Sequence, residues 1–258
     1  MSATRSLPPA LEGLARIALA AGAVVMRHYA DGSPHRLKAD RSPVTDADEE
    51  AERLILAELA VAAPGVPVVA EEQTAAGLVV EAGPRFFLVD PLDGTREFLS
   101  RNGEFTVNIA EIQNGAPRRG VVFAPALDRL FVGEAGIGAF ECDAGLTTIR
   151  AIAARPAPVA GLVAVASRSH RDAQTEDFLA RFPVTSFKSA GSSLKFCLVA
   201  AGEADLYPRA GRTMEWDTAA GQAVLAAAGG SVTRWDGAPL TYGKPGFENP
   251  AFVAKGKF

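Results

Sequence analysis

The sequence predicts an α/β fold built from two halves, each containing a β-sheet. The chain has 258 residues, of which 48% are hydrophobic and 22% charged, so it can bury a sizeable core as one large domain or two small ones. Its first half places two helical segments before a series of short apolar runs. Its second half alternates apolar runs with helical segments, a pattern typical of parallel strand pairing.

In the first half, apolar residues at helical spacing predict helices over residues 10–30 and 46–63. Short apolar runs bounded by Gly, Pro and Asn predict the strands that follow, over residues 66–71, 85–90, 105–112, 119–123 and 129–133. The later strands are closely spaced, which favours hairpins. We therefore expect an antiparallel or mixed sheet.

An Ala- and Pro-rich segment near residues 151–159 indicates a boundary between halves at 1–150 and 151–258. Beyond it, the pattern predicts strands over residues 162–166 and 184–188 and helices near residues 171–182, 193–201 and 218–228. We expect some of these strands to pair in parallel.

The composition excludes several classes of function. The net charge of −4 argues against binding to a nucleic-acid polymer, because affinity for the phosphate backbone depends on clustered Lys and Arg. Cys142 and Cys197 show no metal-ligand spacing and are interpreted as reduced core residues. The apolar stretch 17–26 fits an amphipathic helix better than a signal peptide and is too short to span a bilayer. We expect a cytoplasmic protein without a transmembrane segment, and peripheral association with the inner membrane stays open.

Two carboxylates, Asp90 and Asp93, follow the apolar run 86–89 in the segment Asp-Pro-Leu-Asp-Gly-Thr. Both cannot be buried as anions without a cation between them. Gly94 and Thr95 suit the start of a helix that Asp93 would cap, with the remaining backbone N–H groups facing an anion. The segment therefore predicts a metal and a phosphate at one point.

Further acidic residues stand at the ends of other predicted elements. Glu71 and Glu72 end an apolar run, and two adjacent strands would bring them close to Asp90. Asp217 lies at the start of an Ala-rich helix, where it is a plausible N-cap. Each has an ordinary reading, as a cap or a solvated strand-end charge. Their coincidence favours a site of hard oxygen ligands, which suits Mg²⁺ or Mn²⁺.

At these residues the chain resembles the inositol monophosphatase-like, metal-dependent phosphatases. The resemblance rests on three motifs in family order: Glu71-Glu72, residues 90–95 and residues 216–220. It implies a layered α-β-α-β-α fold with the metal site between the two halves. It also implies Glu71, Asp90, Asp93, Asp217 and the backbone carbonyl of Leu92 as metal ligands.

The resemblance further implies catalytic roles. Asp48 and Thr95 match the family pair in which a carboxylate orients a threonine hydroxyl toward the attacking water, and Glu72 would act beside them. The backbone N–H groups of Gly94 and Thr95 would hold the phosphate. Two or three Mg²⁺ ions are expected, with Mn²⁺ as a possible substitute and Li⁺ as an inhibitor.

Within that family the chain is most similar to a branch, the CysQ-type 3′(2′),5′-bisphosphate nucleotidases. Long segments carry this similarity: residues 42–48, 101–108, 167–170, 191–197 and 206–209. By resemblance, the substrate contacts would be Ser193, Lys195 and Arg209, with His170 nearby and Asp217 also in contact with the substrate. Without the resemblance, isolated basic residues of this kind are more often surface charges than substrate contacts.

The implied reaction is Mg²⁺-dependent hydrolysis of the 3′-phosphate of adenosine 3′,5′-bisphosphate, and of its sulfated relative, in the service of sulfur assimilation. One alternative is an inositol monophosphatase or a fructose-1,6-bisphosphatase with the same metals. A more distant alternative is a regulator that binds nucleotide without turnover. The expected partner is a small nucleotide bisphosphate, and the protein is expected to be a monomer or homodimer.

Overall fold

Two β-sheets, with a pair of helices between them, organise the protein. The structure, a computed structural model, describes residues 6–32, 34–38, 43–166 and 173–258. These residues form the helices α1 (Pro9–Asp31), α2 (Asp46–Ala62), α3 (Glu71–Ala75), α4 (Thr95–Leu99), α5 (Ala173–Leu179), α6 (Leu194–Ala200) and α7 (Glu215–Ala227). The strands of the larger sheet are β3 (Val68–Ala70), β4 (Arg85–Asp93), β5 (Thr106–Gln113), β6 (Ala116–Ala124), β7 (Arg129–Glu134), β8 (Gly138–Cys142) and β9 (Ile149–Ile152).

The remaining strands form a hairpin and a second sheet. β1 (His35–Leu37) pairs with β2 (Pro43–Thr45). The second sheet has the order β11 (Val184–Ser189), β10 (Leu162–Ala166), β12 (Leu206–Arg209), β14 (Phe252–Lys255) and β13 (Ser231–Arg234). β10 pairs in parallel with both β11 and β12, as the alternation of strands and helices predicts.

The layers follow from the alternation of apolar side chains along the strands. On β4, Phe87 and Val89 join the core beneath α1 and α2, whereas Phe86 and Leu88 join the core that contains α6 and α7. α5 packs on the far face of the second sheet, in a small cluster that includes Phe178. The layers are therefore α-β-α-β-α, and the predicted fold class is confirmed.

Helix α7 lies unusually close to the larger sheet because glycines face it. A Cβ atom added to Gly120 on β6 would lie 2.9 Å from the Ala220 backbone, and one added to Gly133 on β7 would lie 2.7 Å from Val224 Cα. Only glycine permits that approach. The close packing fixes the position of α7, and with it the Asp217 side chain at its start.

Helix α1 is long and apolar enough to cross a membrane by length and composition. In this structure it is a core helix instead, because its residues Leu11, Ala18, Ala21 and Val25 are fully buried. It packs against β5, β6 and β7. This agrees with the amphipathic helix predicted over residues 10–30.

Several predicted elements need correction. The strands β1, β2, β8, β9, β12, β13 and β14 were not predicted; each has three to five residues, which gives little periodicity to recognise. Glu71 begins α3 and does not end the preceding strand. The predicted helix at residues 171–182 is shorter in the described residues, where it spans Ala173–Leu179.

Candidate active site

Three chain segments bring acidic side chains to one place. β3 and β4 are parallel neighbours, with Ala70 opposite Val89. Glu71, the first residue after β3, therefore comes next to Asp90, which lies within β4. Asp93 ends β4, and α7 adds Asp217 from the layer behind. The sequence interpretation of two adjacent strands presenting carboxylates therefore agrees with the strand pairing.

Backbone N–H groups hold one oxygen of each of three carboxylates. Asp90 Oδ1 accepts from Leu92 N at 3.0 Å, Asp93 Oδ2 from Ser193 N at 2.6 Å, and Asp217 Oδ2 from Met214 N at 2.8 Å. Within the described part of the chain, the second oxygen of each accepts no hydrogen bond. These oxygens are the ones that could bind a cation.

Two of these acids do not cap helices in the predicted way. Gly94, not Asp93, is the N-cap of α4, and its cap has no side-chain hydrogen bond. Asp217 is the third residue of α7 and bonds back to the N-cap, Met214. In both cases the helix starts one or more residues away from the position that the residue type suggests, because tertiary contacts decide the start.

The pKa values show that these carboxylates oppose one another. Burial raises the pKa of Asp90 well above its ordinary value, and Glu71 and Asp93 raise it further. Burial and then Asp93 raise the pKa of Asp217. Burial also raises the pKa of Asp93, to about 6, although Lys195 opposes the shift. A group of carboxylate oxygens that repel one another suits a divalent cation that prefers hard oxygen ligands, such as Mg²⁺ or Mn²⁺.

Lys38 supplies positive charge to the same place. Its Nζ lies 2.5 Å from Glu71 Oε1 and 2.7 Å from Glu72 Oε1. Burial opposes its charge, but the two carboxylates together raise the Lys38 pKa. Burial and Glu71 raise the pKa of Glu72 to about 8. With Glu71 turned toward Lys38, no three acidic, His or Cys side chains of the described residues form a ready-made cage around one point.

Asp48 and Thr95 meet beside these acids. Thr95 Oγ1 donates to Asp48 Oδ1 at 3.3 Å and lies 3.4 Å from the Leu92 carbonyl oxygen. The other Asp48 oxygen accepts from the backbone N–H and the hydroxyl of Thr45, at 2.8 and 2.7 Å. Thr45 caps α2 in a capping box with Asp48, which locks the carboxylate. Burial raises the pKa of Asp48 to about 6.

Gly94 is the turn between these acids and α4. Its φ of 90° lies in the left-handed region that favours glycine, and an added Cβ would collide with Ser192 Oγ. That hydroxyl is held at 2.8 Å from both the Asp93 and Glu104 carbonyl oxygens. Residues 93–95 are therefore fixed against the second half of the chain.

A pocket of about 140 Å³ opens next to Asp93 and Asp217. Lys195 and Arg209 line it, together with Gly94. The Lys195 side chain is buried; burial, followed by Arg209, lowers its pKa to about 8 although Asp93 acts in the opposite direction. Its Nζ donates to the Ser192 carbonyl oxygen at 2.8 Å. The pocket is thus lined by both anionic and cationic side chains.

Two predicted substrate contacts need separate comment. Ser193 is buried and does not line the pocket; its hydroxyl donates to Asn108 Oδ1 at 2.6 Å and lies 2.9 Å from Thr106 Oγ1. Its backbone N–H holds Asp93, so the structure gives it a supporting position and not a contact with the pocket. His170 lies outside the described residues.

The sequence interpretation missed several residues at the site, three of them charged and in contact with it from separate segments. Lys38 and Glu52 contact the Glu71-Glu72 turn, and Arg212 lines the pocket. None belongs to a motif, and each reaches the site from a separate part of the chain. An acidic residue four positions after Asp48 is the signal that could have indicated Glu52, since both lie on one face of a helix.

Comparisons with known proteins agree with this fold and site. The family model described as "Inositol monophosphatase family" matches residues 8–256. The chain is 46% identical over 246 residues to the 3′(2′),5′-bisphosphate nucleotidase CysQ of Escherichia coli (strain K12), which covers 94% of this chain and 98% of that protein. The corresponding identity to the Haemophilus influenzae CysQ is 31%, over 93% of this chain and 90% of that protein.

Solved structures show the same architecture. CysQ from Bacteroides thetaiotaomicron superposes with a TM-score of 0.81 at 36% identity and covers 96% of this chain and 97% of that one. An IMPase of Thermotoga maritima superposes with a TM-score of 0.79 at 27% identity, over 96% of this chain and 92% of that one. With residues 8–256 matched and the acidic motifs in place, the chain belongs to the inositol monophosphatase family.

Proposed function

We propose that this protein is a metal-dependent 3′(2′),5′-bisphosphate nucleotidase that converts adenosine 3′,5′-bisphosphate to AMP and phosphate. The observation that carries the proposal is the pocket that the half-buried Asp93 and Asp217 line together with Lys195 and Arg209. Such a pocket suits a substrate with two phosphates. One phosphate would bind to the carboxylates through a metal, and the other would bind to the basic side chains. The similarity to bacterial 3′(2′),5′-bisphosphate nucleotidases supports the same reaction.

The residues proposed to hold the metal are Glu71, Asp90, Asp93, Asp217 and the Leu92 carbonyl oxygen. Their all-oxygen chemistry and the raised carboxylate pKa values support Mg²⁺, in two or three positions, with Mn²⁺ as a substitute. When bound, such ions orient the phosphate, lower the pKa of a bound water and stabilise charge on the leaving oxygen. Inhibition by Li⁺ is a further prediction for this site.

The chain's own groups would position the attacking water and accept its proton. Thr95 Oγ1 donates its hydrogen to Asp48, so its lone pairs can accept a hydrogen bond from water. With a pKa raised to about 6 by burial, Asp48 is a suitable acceptor for that proton near neutral pH. Glu72, the third proposed catalytic residue, stands beside Glu71 and shares Lys38 with it.

The two basic side chains of the pocket, Lys195 and Arg209, would select the nucleotide. Lys195 and Arg209 are proposed to bind the phosphate that does not react, since an ammonium and a guanidinium both suit phosphate oxygens. The backbone N–H groups of Gly94 and Thr95 are proposed to hold the reacting phosphate. The sulfated relative, 3′-phosphoadenylyl sulfate, carries a comparable anionic group and is proposed as a second substrate, giving adenylyl sulfate.

The main alternative is an inositol monophosphatase or a fructose-1,6-bisphosphatase that uses the same acids. Lys195 and Arg209 favour a substrate with a second anionic group over an inositol monophosphate. The similarity to bisphosphate nucleotidases favours a nucleotide over a sugar bisphosphate. A regulator without turnover would need no Asp48–Thr95 pair. Removal of an inhibitory nucleotide by-product in the cytoplasm during sulfur assimilation is the role that we propose for the reaction.

The test is phosphate release by the purified protein in Mg²⁺ from three compounds: adenosine 3′,5′-bisphosphate, inositol 1-phosphate and fructose 1,6-bisphosphate, each with and without Li⁺. The proposal predicts a strong preference for the nucleotide and inhibition by Li⁺. Preference for inositol or fructose phosphate would leave the metal mechanism standing and remove the proposed roles of Lys195 and Arg209. Nucleotide binding without phosphate release would favour the regulator.

A further inference from the structure

Glu52 is a buried carboxylate that makes its hydrogen bonds at the start of α3. It lies on α2 one turn after Asp48, and only 4% of its surface is exposed. Its Oε2 accepts from Glu72 N at 2.7 Å, and its Oε1 accepts from Gln73 N at 2.9 Å. Both oxygens of one side chain are thus used on two consecutive backbone N–H groups.

Helix α3 needs such an outside partner. The first N–H groups of any helix lack intrahelical acceptors, and a side chain at the N-cap usually supplies one. Here the N-cap is Ala70, which makes no side-chain cap hydrogen bond. With only five residues, α3 also has little internal hydrogen bonding to define where it begins. The Glu52 carboxylate replaces the missing cap from a different helix.

The cost of this arrangement indicates that its geometry matters. Glu52 adds a negative charge beside Glu71 and Glu72, which share Lys38 as their cation. A buried carboxylate among others is unfavourable unless its hydrogen bonds compensate. A neutral cap at residue 70 would satisfy one of these N–H groups without that repulsion, but it would not connect α3 to α2.

The connection through Glu52 joins two parts of the proposed site. α2 carries Asp48 on the same face, where that carboxylate is bonded to Thr95. α2 is itself fixed in the core through Ala51, Ile55 and Leu59, each buried. The same rigid helix therefore holds both the Glu71-Glu72 turn and the Asp48–Thr95 pair in position.

We propose that Glu52 is a positioning residue: by binding the N–H groups of Glu72 and Gln73, it holds the Glu71-Glu72 turn in the orientation that binds divalent metal. The inference rests on the proposed metal-dependent function. Outer residues that orient metal ligands typically change metal affinity by roughly 10- to 100-fold when they are replaced. Glu52 would act on the affinity for metal, with a smaller effect on turnover once metal saturates.

Two substitutions at this position separate geometry from charge. Glu52→Gln keeps the length but leaves one acceptor, and its NH₂ group would face a backbone N–H. Glu52→Asp keeps the charge but shortens the side chain, so it cannot reach both N–H groups. The matched control is Glu58→Gln, on the exposed face of the same helix. The binding of Mn²⁺ and Mg²⁺ to each metal-free protein is measured by calorimetry, beside its thermal unfolding and its kcat at saturating Mg²⁺.

The expected result is metal affinity weakened roughly 10- to 100-fold in both Glu52 variants and unchanged in Glu58→Gln, with most of kcat recovered at saturating Mg²⁺. Wild-type affinity in Glu52→Asp would show that only charge matters and would overturn the inference. So would a lowered unfolding temperature with unchanged metal affinity, which indicates a purely structural role. If the wild-type protein itself bound no metal, the proposed function would fail first, because calorimetry requires no substrate.

Discussion

The Thr95 hydroxyl lies 3.3 Å from the Asp48 carboxylate, although 47 positions separate the two residues. Asp48 is fixed from its other side by Thr45, and Thr95 follows a left-handed glycine that is packed against Ser192. Neither side chain can move far without breaking a local structure. The pair is therefore preorganised, a property that proton transfer requires.

Replacing Thr95 by Val keeps the shape of the side chain and removes the hydroxyl. We expect kcat to fall by roughly 10²- to 10⁴-fold, because the water would lose its orienting group. Metal affinity, measured by calorimetry, should change little. Thr95→Ser restores a hydroxyl at the same position and should recover a large part of the rate. Equal rates for Thr95→Val and the wild-type protein would refute the role of the pair.

Asp90→Asn tests the metal ligands. The substitution removes a buried carboxyl group whose pKa is raised by burial and by Glu71. The metal-free variant should therefore unfold at a higher temperature than the wild-type protein. Its turnover in Mg²⁺ should nevertheless be abolished, and the rise in unfolding temperature on adding Mg²⁺ should shrink. Thermal unfolding with and without Mg²⁺, together with phosphate release, checks both. A variant that retained the wild-type response to Mg²⁺ would exclude Asp90 as a ligand.

The stability of the metal-free protein should depend on pH in a defined direction. Burial raises the pKa of Asp48 to about 6, of Glu52 to about 7 and of Glu72 to about 8, from ordinary values of 3.8 to 4.5. At pH values between the ordinary and the raised pKa of each group, the folded protein holds protons that the unfolded chain has released. The free energy of unfolding should therefore fall as the pH rises from about 4 to about 8.

Adding Mg²⁺ should oppose this loss. Metal binds deprotonated carboxylates, so its stabilising effect should be larger at pH 8 than at pH 5. The measurement is thermal unfolding at both pH values, with chelator and with Mg²⁺. An unfolding temperature of the chelated protein that rises over the same pH range would contradict the assignment of these groups.

Lys195→Met tests selection of the nucleotide. The side chain lines the pocket, so its loss should lower kcat/KM for adenosine 3′,5′-bisphosphate by roughly 10-fold or more, chiefly through KM, as expected for a charged hydrogen bond. Lys188→Met is the control, since Lys188 is paired with Glu203 at 2.8 Å, away from the residues that line the pocket. An unchanged KM in Lys195→Met would remove this residue from the substrate site.

Much of the fold was predictable because long, periodic segments determine it. The predicted helices at residues 10–30 and 46–63 correspond to α1 and α2, and the predicted strand at residues 162–166 is β10. The missed strand β12 contains Pro208, a residue that argues against a central strand. It is tolerated because β12 meets β10 only at Leu206, leaving no partner on that side for the missing N–H.

The site was predictable only in part. Asp90 and Asp93 stand out because carboxylates after a buried strand have few ordinary explanations. The support beneath them does not stand out: Ser193 holds Asp93 from 100 positions away, and Glu52 holds Gln73 from 21. The first contact depends on how the two halves pack and the second on packing within the first half, and no local spacing records either.

The most direct test of the central claim is to follow the products from adenosine 3′,5′-bisphosphate by ³¹P NMR while Mg²⁺ is titrated into chelated, metal-free protein. The account predicts AMP and inorganic phosphate, formed only as Mg²⁺ is added. Adenosine 3′-phosphate as the product, or the same rate in the presence of chelator, would contradict it.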